Sequence, residues 1–147
     1  IIEIAADAEK DSFDMAIKVD RLSAKTLKVR KPLWADGVVI AVDKQTVTPE
    51  EKDGYYIFEI SKGTITFKSS CKPYLRPCPD DENTASVCWG PLVLAAISDS
   101  REYLTIAKTD LENLVHKGDG QFEMNGMQFK PLNKIDRENY HLYLKIQ

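Results

Sequence analysis

The chain has 147 residues, 43% hydrophobic and 29% charged, with 20 basic against 23 acidic side chains and a net charge of −3. That length and composition fit one folded domain and exclude disordered, collagen-like and low-complexity classes. Nucleic acid is not an expected partner, because phosphate binding needs a clustered positive field; nor is a membrane, because the longest apolar run, Leu92 to Ile97, is far short of the ~18 residues of a spanning helix.

Ile1 opens the chain, and no signal-like segment precedes the first strand-like run. The chain therefore reads as a fragment or processed product, and its compartment is left unassigned. Phe13, Met15, Ile17 and Val19 alternate with Asp14, Ala16 and Lys18, the period-two pattern of a strand with one inward face. Leu27 and Val29 alternate with Lys28 and Arg30 until Pro32 stops the run. Asp36-Gly37 turns the chain into Val38 to Val42, Asp53-Gly54 precedes Tyr55 to Ile60, and Gly63 opens Thr64 to Lys68. Ser69 to Thr84, with its prolines and the acidic run Asp80-Asp81-Glu82, reads as a loop, as does Ile97 to Arg101.

Ser86 to Trp89 and Leu92 to Ile97 flank Gly90-Pro91, which must bend or bulge the chain. A capping-box pattern at Thr109 (Thr-Asp-Leu-Glu) and the stripe Leu111, Leu114, Val115 predict a short helix, ended by Gly118. Asn125-Gly126 between two apolar runs is the strongest hairpin signal in the chain. Tyr140, Leu142, Leu144 and Ile146 alternate to the end. The pattern predicts an all-β fold, an antiparallel β-sandwich (jelly-roll-like) of about nine or ten strands with one short helix, residues 1–147 forming a single domain.

Chemistry is scarce. His116 and His141 sit in no nucleophile motif, and no phosphate loop, dinucleotide fingerprint or zincin pair is present. Cys71, Cys78 and Cys88 are too few for a disulfide framework. They read as reduced, mostly buried thiols, with a Cys71–Cys78 bridge as the alternative. Their spacing does not fit a zinc knuckle. The acidic run reads as a solvated turn, with weak calcium contact as the alternative. No catalytic residue, cofactor or metal ligand is therefore assigned. Among the aromatics, Trp34, Tyr74 and Trp89 are the candidates for interdomain or glycan contact, weighed against the commoner role of filling a core.

Five segments in order resemble the C-terminal part of bacterial glycoside hydrolase family 127, the β-L-arabinofuranosidase-like enzymes. They are Leu27 to Ala35 (Leu-Lys-Val-Arg-Lys-Pro-Leu-Trp-Ala), Val38 to Val47, Asp53-Gly54-Tyr55, Ala85 to Ala96 (Ala-Ser-Val-Cys-Trp-Gly-Pro-Leu-Val-Leu-Ala-Ala), and Pro131 to Tyr143. The chain departs from the family pattern at Asp43-Lys44, where the family has Asn-Gly, and at Asp136 and Asn139, where the family has His and Arg. The resemblance implies a non-catalytic sandwich docked on an upstream helical barrel of the same polypeptide. In the family that barrel carries a cysteine nucleophile and glutamates around zinc, and none of the three cysteines here lies in a matching motif. The alternative is an independent carbohydrate-binding module with an aromatic platform.

Overall fold

Alternating side chains in the first half of the chain produce strands with one apolar face, and two such faces close on each other. A computed structural model describes residues 1–7, 11–23, 26–35 and 37–147. Asp36, half of one expected turn, lies outside the described residues. The chain folds as two compact units, one from the first strand and Ser12–Ser70, the other from Asp11 and Cys71–Gln147.

In the first unit the strands are β1 (Ile2–Asp7), β2 (Ser12–Val19), β3 (Thr26–Arg30), β4 (Val39–Val42), β5 (Gln45–Thr46), β6 (Glu50–Lys52), β7 (Tyr55–Glu59) and β8 (Gly63–Ser70). They form a five-stranded sheet, β1-β2-β8-β4-β5, and a three-stranded sheet, β3-β7-β6. Between the two lies one cluster: Ile17, Val19, Ile40, Ile65 and Phe67 from the larger sheet, Tyr56 and Phe58 from the smaller, and Ile60 just beyond β7. Fully burying one such side chain is worth about 1.5–3 kcal/mol. Phe58 meets Phe67 edge to face with ring centres 5.9 Å apart, an arrangement the ring quadrupoles favour.

The second unit is built from β9 (Pro73–Cys78), β10 (Asp81–Trp89), β11 (Leu92–Ile97), β12 (Thr105–Ile106), β13 (Val115–Gly118), β14 (Gln121–Met124), β15 (Met127–Pro131), β16 (Tyr140–His141) and β17 (Leu144–Ile146). Their pairings join all nine strands in one sheet. Register sets the core. Val87 pairs with Leu94 and Ala85 with Leu144; Ala96 pairs with Phe129, which pairs with Phe122. These side chains therefore share one face, and each is at most 2% exposed.

The all-β, sandwich-type class read from the sequence is the class observed. Strand number differs: seventeen strand segments occur among the described residues, because pairs such as Gln45–Thr46, Thr105–Ile106 and Tyr140–His141 are too short to carry a periodic signal. One pairing, β12 with β17, is parallel. The expected helix is only a 3-10 turn over Lys108–Asn113, opened by Asp110, whose carboxylate accepts the Ala107 N–H at 2.8 Å. Val115 to Gly118 then pair with β14 as a strand, so Gly118 ends no helix. So short an apolar stripe cannot repay helix nucleation, whereas the β-branched Val115 suits a ladder.

The expected loop at Ser69 to Thr84 is largely a strand pair, β9 against β10. Pro73 and Pro77 are tolerated because, among the described residues, β9 pairs with β10 alone, so a missing N–H costs no second ladder. Gly90-Pro91 is a two-residue hairpin loop between paired Trp89 and Leu92. No helix among the described residues is long and apolar enough to cross a membrane.

Candidate functional site

The sequence singled out three rings, and the structure gives them different environments. Trp34 follows β3 in the loop Lys31–Ala35, half-buried, with its ring edge-on to Phe13 at 5.2 Å. That loop is held at its start by Lys31, whose backbone N–H donates to the Gly54 carbonyl at 2.9 Å and whose ammonium donates to Glu51 at 2.6 Å. Glu51 pulls the Lys31 pKa above its ordinary value. At the loop tip, Leu33 is wholly exposed. A depression of about 240 Å³ bounded by Lys31, Pro32, Leu33, Asp53 and Tyr55 opens beside it.

Tyr74 and Trp89 lie on opposite faces of their sheet, because Tyr74 pairs with Cys88, the residue before Trp89. They cannot share one platform. Tyr74 is half-buried, across the strand pair from Cys88. Burial first, and then Cys88, push its pKa up to about 12. Trp89 is only 8% exposed and packs among Phe122 at 5.4 Å and His116 at 6.3 Å. Its ring occupies a core position in this unit.

His116 lies on β13 and not at a helix end. Its ring stacks on Phe122 at 4.5 Å, and its Nδ1 faces Asp11 at 3.3 Å. The Nε2 of His116 and the Nε1 of Trp89 are buried with no hydrogen-bond partner among the described residues. His141 Nε2 lies 2.9 Å from the Ser100 carbonyl oxygen. The hydrogen-bond partners of the two imidazoles among the described residues are a carboxylate and a backbone carbonyl, neither of which is a nucleophile to be activated.

No cysteine is bridged to another, so the Cys71–Cys78 alternative is not what the structure shows. Asp81 turns its carboxylate back on the Asn83 N–H at 2.9 Å, the ordinary use of an acidic residue in a turn. Among the described residues no group of three or more His, Cys, Asp or Glu side chains could hold a metal ion.

Two surfaces were missed in the sequence. In the second unit Tyr103, Tyr140 and Tyr143 are 62%, 45% and 44% exposed, and the Lys145 ammonium lies 5.4 Å over the Tyr103 ring. The alternation at the C-terminus placed Tyr143 on the polar face, which was the available signal. In the first unit Ile1, Ile2, Ile4 and Val39 are large apolar side chains left exposed.

No family model matches the chain, and no curated protein matches it. Solved structures do. A structure described as a glycoside hydrolase aligns over 99% of this chain and 32% of its own, with a TM-score of 0.60 at 13% identity. A GH127 β-arabinofuranosidase aligns over 99% and 32%, with a TM-score of 0.56 at 19% identity. A GH127 β-L-arabinofuranosidase from Geobacillus stearothermophilus T6 aligns over 99% and 31%, with a TM-score of 0.57 at 10% identity. The chain has a fold found in family 127 glycoside hydrolases. It spans about a third of the length of those chains.

The segments carrying the family 127 resemblance in sequence are structural ones. Leu27 to Ala35 is β3 and its exit loop, and Ala85 to Ala96 is the buried β10–β11 hairpin. At Asp43-Lys44, where the sequence departs from the resemblance, both residues adopt positive φ, 47° and 71°, as the two central positions of a type I′ hairpin require.

Proposed function

We propose that this chain is a non-catalytic accessory domain of a family 127-like glycoside hydrolase acting on arabinofuranose-containing glycans of plant type, and that it docks on and supports an upstream helical catalytic barrel of the same polypeptide. The observation that carries this reading is the alignment of 99% of the chain onto only about a third of three glycoside hydrolases. Residues 1–147 act together as that domain. Trp34 and Tyr74, both partly exposed, are its aromatic contacts, and Trp89 serves from within by fixing the β10–β11 hairpin.

The test is the complete gene product. The longer protein should hydrolyse an aryl β-L-arabinofuranoside, and the 147-residue chain should not. Turnover by the 147 residues alone, or a gene with no further catalytic segment, overturns the reading.

A carbohydrate-binding module is the second reading, favoured by the exposed Tyr103, Tyr140 and Tyr143, since aromatic faces stack on sugars. Calorimetry against plant-wall oligosaccharides distinguishes it: binding lost on Trp34→Ala or Tyr103→Ala would support a module.

A further inference from the structure

The five-stranded sheet carries its apolar face past its own cover. One register row crosses it: Ile4 pairs with Ile17, Ile17 with Ile65, and Ile65 with Val42. These side chains lie on one face, because paired residues point the same way. Along the row Ile65 is 0% exposed and Ile17 4%, yet Ile4 is 65% exposed. The next row repeats this, with Val19 at 1% and its partner Ile2 at 44%. The cluster beneath the three-stranded sheet includes residues from β2, β4 and β8 but none from β1.

β1 is also the end strand of its sheet, pairing with β2 alone among the described residues. Such an edge is normally blunted by Lys, Pro or a bulge. Ile2–Asp7 contains neither Lys nor Pro, its two charges, Glu3 and Asp7, lie on the face opposite Ile2 and Ile4, and its register with β2 runs unbroken for six residues. A strand with two exposed isoleucines and an open ladder is built to be extended.

We infer that β1 receives a further strand, contributed by the part of the same polypeptide that lies outside these 147 residues. That strand would hydrogen-bond along the free edge of β1 and set apolar side chains at alternate positions beside Ile2 and Ile4. The occupant is chosen because chains sharing this fold are about three times as long, so two thirds of such a polypeptide has no counterpart here. The inference rests on the function proposed above and names the contact through which the accessory domain is held.

Hydrogen exchange on the complete gene product and on the 147-residue chain tests it. In the longer protein the Ile2–Asp7 amides that point away from β2 should exchange at least tenfold more slowly, and Ile4→Lys should abolish that protection. Glu3→Gln, on the opposite face, should leave it intact. Equal exchange in the two proteins, when the longer one carries a catalytic segment, overturns this inference and spares the proposed function. A gene without such a segment overturns both. A dimer of the 147-residue chain that dissociates on Ile4→Lys, with no protection in the longer protein, assigns the edge to a second copy and also overturns it.

Discussion

Gly90 stands against Cys71 so closely that a Cβ added to the glycine would lie 2.6 Å from the Cys71 sulfur and 3.2 Å from its Cβ. Gly90 also has φ +51°, in the hairpin loop that joins the two most buried strands of the second unit. Left-handed geometry costs a side chain roughly 1–2 kcal/mol and forced overpacking roughly 1–3 kcal/mol. Gly90→Ala should therefore lose about 2–5 kcal/mol in urea unfolding. Gly126, at φ +80° but with nothing within 4 Å, isolates the backbone part: Gly126→Ala should lose only about 1–2 kcal/mol. Equal losses at the two sites would refute the steric account.

Lys44 has φ +71° in the β4–β5 turn, beside Asp43 at φ +47°. Asp43 has a second role, accepting the Thr64 N–H through Oδ1 at 2.8 Å. Lys44→Gly should stabilise the first unit by about 0.5–1 kcal/mol, because glycine adopts this conformation without strain. Asp43→Ala should cost about 1 kcal/mol through the lost hydrogen bond. Thermal melts of both variants check the opposite signs.

Glu138 is tied by Lys130, and its Oε2 accepts the N–H groups of Asp136 and Arg137 at 3.0 and 3.1 Å. Lys130 first, and the backbone donors after it, hold its pKa down to about 2 from an ordinary 4.5. A carboxyl lowered in the folded state contributes stability above its unfolded pKa and loses that contribution as pH falls toward 2. The side-chain carboxyl carbon resonance of Glu138 should thus stay constant from neutral pH to about 4 and move only near 2. In Glu138→Gln that low-pH titration should vanish. A midpoint above 4 would contradict the assignment.

Thiol reactivity should separate the cysteines. Cys88 is fully buried, and burial pushes its thiol up, while Cys78 is only partly covered. Reaction with a disulfide reagent at pH 8 should therefore be fast at Cys78 alone, and Cys78→Ser should abolish the fast phase. All three thiols should react once the chain is unfolded. In a spectrophotometric titration Tyr74 should ionise near 12, after the exposed tyrosines.

Much of the fold was legible because local rules acted alone. The alternation at Phe13 to Val19 specified β2 and its inward face, and Asn125-Gly126 specified a hairpin, both residues taking positive φ. Reading failed where distant partners decided. Pro73 to Cys78 lacks a strand signature but pairs with β10, which offers its open side. Val115 to Gly118 gave up a helical stripe for pairing with β14.

The sequence by itself determined the all-β class, the main turns and the run of segments that resemble family 127, because a two-residue period and positive-φ turns are written in adjacent residues. Only the tertiary structure decided that Trp89 is core, that Tyr74 faces away from it, and that Ile4 is bare while its register neighbour Ile17 is covered. Those outcomes depend on which face each strand presents and how far one sheet reaches over another, relations between residues remote in the chain.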